Sequence, residues 1–182
     1  MPDGIRHNAD QVAAEFAAMR PQMETMLRGV GRYANARIVG HAVGKYLRDA
    51  KGEGPREESD SGPLRILSGR YLRALNASPD ARAGSREGFS TITATANRMT
   101  LEKGATLIYA GVHEYGATIR AKNKPYLVFM TAAGLRRAKS VTIPARPVYE
   151  PALDDAAPEV EREGGRRLFA LLQGGRILGG RA

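Results

Sequence analysis

Apolar residues recur along the first part of the chain at alternating intervals of four and three. Val12, Phe16, Met19, Met23, Met26, Val30 and Tyr33 follow this rhythm and share one face of a helix. The pattern predicts helix from about Asn8 to Ala50, with Asn8 or Asp10 as its N-cap. Pro21 lacks an amide donor and crowds the preceding turn, so it is expected to kink or split this helix. Gly29 and Gly31 are expected to weaken it further. Ile38, Ala42, Val43, Tyr46 and Leu47 then rebuild the apolar stripe, which either packs on the core or forms a subunit interface.

The segment KGEGPREESDSGP, residues 51–63, reads as a flexible loop, because Gly, Pro, Ser and charge leave little apolar surface to offset its ordering. A second helix is expected over residues 62–76, burying Leu64, Leu67, Tyr71, Leu72 and Leu75, and a loop over 78–88. The period then changes to two. Phe89, Thr91, Thr93 and Thr95 alternate with Ser90, Ile92, Ala94 and Ala96, a β-branched pattern that predicts a strand. Asn97-Arg98 reads as a turn, 99–103 as the returning strand and 106–109 as a short extended piece. Residues 118–121 and 126–130 are expected to form a second hairpin across the basic turn KNKP, and 141–143 a short strand stopped by Pro144.

A last helix is expected over 147–172, with Pro151 tolerated in its first turn and Asp154 and Asp155 favouring the positive end of its dipole. Pro158 and Gly164-Gly165 should interrupt it, and GGRILGGRA should be flexible. Helices, then antiparallel strands, then a helix make an α+β pattern: a small antiparallel sheet flanked by a long N-terminal helical region and a C-terminal helix. The expected organisation is a helical region over 1–50, the loop 51–63, an α+β core over 64–172 and a tail over 173–182, within one domain.

Charge changes the picture. The net charge of +9 favours polyanions or acidic protein surfaces as partners. The basicity sits mid-chain: residues 64–149 hold fourteen Lys/Arg and four Asp/Glu, a net of +10, whereas 51–63 holds two and four, a net of −2. Cysteine is absent, which excludes disulfides, a thiol nucleophile and thiolate metal sites and suits assembly in a reducing cytoplasm. No signal-like or membrane-spanning apolar run is visible, so no membrane partner is expected.

Candidate chemistry is sparse. His7, His41 and His113 are far apart in sequence, and His113-Glu114 lacks the second histidine of a zinc-protease helix, since Ala117 stands there. No nucleophile elbow or phosphate-cradling loop occurs, and no standard nucleic-acid-binding module is legible. No catalytic residue, cofactor or metal is expected. Arg120, Lys122, Lys124, Arg136, Arg137 and Lys139 either meet phosphates without reading sequence or are solvated loop charge.

Three segments in order, LRILSGRYLRAL, YAGVHEYGATI and VTIPARPVYEPAL, resemble the virion-morphogenesis and tail-completion proteins of tailed bacteriophages. There a strand ends in Tyr-Ala, a turn gives His-x-(Phe/Tyr)-Gly, and a later strand closes with Ile-Pro-x-Arg-Pro before the final helix. Tyr109, His113, Tyr115, Gly116, Pro144, Arg146 and Pro147 carry the match, which covers residues 64–156, about half the chain. Val148-Tyr149 stands where the family usually has Phe-Leu.

Physical reasons for these residues exist beside the resemblance. Gly116 can take the positive φ that a reversal needs, and His113 is expected to fix that reversal through a backbone carbonyl. Pro144 and Pro147 stiffen the connection into the last helix. Arg146 between them is expected to be held out toward a carboxylate of its own or a neighbouring subunit.

The resemblance implies a structural, non-enzymatic subunit of the phage neck, located in the virion and assembled in the host cytoplasm. It would be a tail-completion or terminator ring, six copies if it caps a sixfold tube. Its partners would be copies of itself, the tail tube protein, head–tail connector proteins and DNA passing non-specifically through the lumen. The alternatives are a head-completion connector of the same neck and a free DNA-binding protein.

Overall fold

In the computed structural model, residues 3–49, 64–66, 69–79, 87–131 and 133–173 are described. The expected loop at 51–63, most of the loop at 78–88 and the tail from 174 fall outside the described residues.

The alternating apolar rhythm forms one helix, α1 (Asp3–His41), which runs through Pro21 without splitting. The proline is exposed, and the Thr25 hydroxyl donates to its carbonyl at 2.8 Å. Further along, Met26, Val30, Ala34 and Ile38 are buried. Their packing offsets the roughly 3 kcal/mol that an interior proline costs a helix. Gly31 serves the packing too: a Cβ there would lie 2.9 Å from Ile92 Cγ2, so its absence lets a strand cross the helix closely.

α1 ends in a π-helical turn, Ala42–Tyr46, and the chain leaves as strand β1 (Leu47–Asp49), short of the expected end at Ala50. β1 pairs in parallel with β2 (Leu64–Ile66), so the start of the expected second helix is a strand. That helix, α2, is confined to Arg70–Leu75 behind Gly69, whose φ of 69° is incompatible with helix continuing upstream.

The period-two segment forms the expected hairpin of β3 (Gly88–Thr95) and β4 (Arg98–Ala105). Ser90 and Ala94 are buried while Phe89, Thr91, Thr93 and Thr95 are exposed. The Ser90 hydroxyl donates to Asn35 of α1 at 3.2 Å, which satisfies the one polar side chain on the covered face.

Residues expected to be extended at 106–109 instead lead into helix α3 (Ile108–Tyr115). Leu107 and Ala110, three apart, are both buried and anchor its first turn. Beyond it, β5 (Ala117–Arg120) pairs with β8 (Ser140–Ile143), and β6 (Leu127–Thr131) pairs with β7 (Gly134–Ala138). The expected hairpin between 118–121 and 126–130 is therefore wrong. KNKP joins two nested ladders, and the true partner of β6 is the charged segment GLRRA, which hides its strand character behind Arg136 and Arg137. Gly134 at φ 99° makes the reversal possible, and the Thr131 hydroxyl donates to its carbonyl at 3.0 Å.

Among the described residues the strands form four separate pairs, three antiparallel and one parallel, in place of a single sheet. The α+β class stands.

The last helix, α4 (Tyr149–Leu172), is continuous through Pro158, Gly164 and Gly165 because it packs along α1. Met26, Val30 and Leu171 form one buried cluster between them. Ile38, Ala42, Leu75, Leu107, Val148 and Ala152 belong to the other. A polar seam follows the same contact: Glu159 pairs with Arg37 and His41, and Asp155 receives Lys45 at 3.1 Å and the Tyr46 hydroxyl at 2.7 Å. Asp155 is thus a cross-helix partner, not a complement of the dipole, and the first turn of α4 contains Glu150 instead.

Candidate functional site

The two most distinctive segments of the sequence meet at one junction. Gly116 follows α3 with φ 71°, and a Cβ there would stand 3.0 Å from Ala145 N and 3.1 Å from Ile143 O. Only glycine fits both the torsion and the approach of the chain around Pro144. The Arg146 amide donates to the carbonyl of His113 at 2.6 Å. His113 thus holds the reversal through its own carbonyl. That ring lies edge-on to Tyr109, with centroids 6.1 Å apart.

Glu114, a residue the sequence reading passed over, ties the junction together. Its carboxylate accepts from the amides of Val148 at 2.9 Å, Tyr149 at 2.6 Å and Glu150 at 3.3 Å, and from the Tyr71 hydroxyl at 3.5 Å. It caps the amino end of α4 from another element, where three otherwise unsatisfied donors and the helix dipole favour an anion. Val148 at the cap position has no side chain able to do this and is fully buried in the core instead.

Tyr149 meets Tyr71 edge-on at 6.1 Å. Burial, then the charge of Glu114, pushes the Tyr149 hydroxyl up to about 12 and raises Tyr71 as well. Arg146 is partly buried, not held out, whereas Pro144 and Pro147 are exposed and Tyr115 is 82% exposed. These residues form a joint between α3, the Pro144–Pro147 segment and the start of α4.

The six basic candidates lie elsewhere, on the arm made by β5–β8 and β6–β7. Arg120, Lys122, Lys124, Arg136, Arg137 and Lys139 are all exposed. None is in an ion pair among the described residues. Residues 117–143 contain these six cations and no Asp or Glu, a net of +6. Cross-strand register puts Val128 opposite Arg137 and Met130 opposite Leu135, so the four share one face of the hairpin. Val128, Met130 and Leu135 are 57%, 62% and 62% exposed. β6 and β7 make their substantial contacts only with each other.

The body carries a complementary feature, a cleft of about 840 Å³ between α1, β4, α3 and α4. Ile38, Leu101, Leu153 and Val160 line it, with Glu150 and Glu161 on the α4 side. Lys103 also reaches it, and its ammonium donates to the Ala77 carbonyl at 3.2 Å while burial lowers its pKa to about 8. Among the described residues no group of three metal-ligating side chains converges, and no helix is long and apolar enough to cross a membrane.

Comparison with protein-family models, with curated proteins and with solved structures finds no match to this chain.

Proposed function

We propose that the chain is a structural subunit of a tailed-phage neck, a tail-completion or terminator ring that joins the tail tube to the head connector and lets DNA pass. The observation that carries this reading is the exposed arm: among the described residues its six cations form no ion pair and its apolar face is uncovered, and it contains no acidic residue. An apolar face of this kind is unfavourable in water and suits a protein contact. Unpaired cations suit a lumen crossed by duplex, attracting phosphates without base contacts. The junction adds support of a second kind, because the residues that carry the resemblance hold one another: Gly116 against Ala145, His113 against Arg146, Glu114 against α4. Chemistry plays no part in this role; shape and edges do.

Changing Arg120, Lys122 and Lys124 together to Glu tests it. All three are exposed, so the isolated chain should keep its circular dichroism and its melting temperature, within the roughly 0.5 kcal/mol typical of surface changes. Infectious titre of the complemented phage should fall at least about tenfold, as expected if like charge then faces phosphate. An unchanged titre would remove the arm from the neck.

The charge of the arm also favours a second reading, a free DNA-binding protein. That reading requires the isolated chain to bind duplex DNA with an affinity that falls steeply with salt, roughly as the number of phosphate contacts. A head-completion connector differs only in address, and co-purification with portal rather than tail-tube subunits would identify it.

A further inference from the structure

Resting on the reading of the chain as a ring subunit, we infer that the arm of one copy seats in the α1–β4–α4 cleft of the next, as the contact that repeats around the ring. The two surfaces match in chemistry. The arm offers Val128, Met130, Leu135 and Arg137 on one face, all exposed, with Arg136 on the other face and no acidic residue between 117 and 143. The cleft offers Leu101, Leu153 and Val160 as an apolar floor.

The α4 rim is acidic. Glu150 and Glu161 line it, are exposed and form no ion pair among the described residues. Asp155, Glu159 and Glu163 on the neighbouring faces of the helix are already held by Tyr46 and Lys45, Arg37 and His41, and Arg166 and Arg167. The charge left for a partner is therefore confined to the cleft side.

Dimensions agree as well. Glu150 and Glu161 are eleven positions apart on α4, about 16 Å at the rise of a helix. β6 has five residues, about 13 Å over its four rises. A hairpin laid along α4 thus spans most of the rim, with Lys124, Arg137 and Lys139 toward its open end. Lys103 is the one cation among the residues lining the cleft, and it lies on β4. Arg137, on the seated face, accordingly goes to the α4 side and the apolar side chains beside it to the floor, which leaves Arg120, Lys122 and Lys124 for the lumen.

No residue of the arm lines the cleft of its own chain. A donor patch and a different acceptor patch on each copy make a head-to-tail contact, the type that closes into rings.

Sedimentation velocity over a concentration series tests this with two variants at exposed positions, Arg136→Glu/Arg137→Glu on the arm and Glu150→Lys/Glu161→Lys on the rim. Leu153→Asp serves as a second change in the cleft. Each variant alone should self-associate at least about tenfold more weakly than the wild type. Mixing the arm variant with Leu153→Asp leaves one intact arm and one intact cleft, since an acidic arm gains nothing from an acidic cleft, so that mixture should form a 1:1 dimer that grows no further. Cleft variants that assemble like the wild type, or a mixture that stays monomeric, would overturn the arm-in-cleft contact and leave ring formation to some other surface. A wild-type chain that stays monomeric throughout would overturn the ring reading along with it.

Discussion

Glu114 accepts three backbone amides at the start of α4 while standing on a different helix, so its loss should be felt far from its own position. Glu114→Ala leaves the part-buried amides of Val148 and Tyr149 and the exposed amide of Glu150 without this acceptor. It should cost about 2–3 kcal/mol, read from chemical denaturation, whereas Glu114→Gln should keep part of the cap and cost less. Equal stability of wild type and Glu114→Ala would remove the cap from the account. At Gly116 any side chain meets both a left-handed torsion and the Ala145 backbone, so Gly116→Ala should cost about 1–3 kcal/mol. Tyr149 makes the opposite case. Its hydroxyl is buried with no hydrogen-bond partner among the described residues, so Tyr149→Phe should be neutral or stabilising by up to about 1 kcal/mol in the same assay. The role of Gly116 was legible, because a reversal after a short helix needs positive φ. Glu114 was not, although a clue stood in the sequence: RPVYEP opens a helix with no Ser, Thr, Asp or Asn directly before it, so the acceptor had to come from elsewhere.

At the scale of elements, the contact between α1 and α4 joins apolar stripes with a seam of carboxylates. The Tyr46 hydroxyl, then Lys45, holds Asp155 below the usual carboxylate range. Arg37, then His41, does the same for Glu159. Within α4 itself, Arg166 and Arg167 bring Glu163 down to about 2. A carboxylate whose pKa is depressed by folding stabilises the fold above its unfolded value, and that stability is lost as pH falls through the folded one. The protein should therefore keep this contribution above about pH 4.5 and lose it progressively toward pH 2. Thermal melts across that interval check the sign: a melting temperature that rises on acidification would contradict the seam. Periodicity made α1, α4 and the β3–β4 hairpin legible, since each has an unambiguous buried face. It failed where tertiary pairing overrides local pattern. Leu64–Ile66 is a strand because β1 lies beside it, and Gly134–Ala138 is one because β6 does, despite two arginines in five residues.

Over the whole molecule, a body of two long helices and a hairpin carries an arm with a charge of opposite sign to the rim of the body's cleft. The basic residues of that arm were visible from composition, but their gathering on two nested ladders was not, because the expected hairpin partner was wrong. On the proposed arm-in-cleft contact the same chain would supply both a donor and an acceptor surface, which is what a repeating assembly requires. Electron microscopy of phage particles produced without this protein tests the proposed neck role most directly. The neck reading predicts separate heads and tails, rejoined when the wild-type chain is supplied and left apart when the Arg120/Lys122/Lys124→Glu variant is supplied. Heads and tails that join normally without the protein would contradict it.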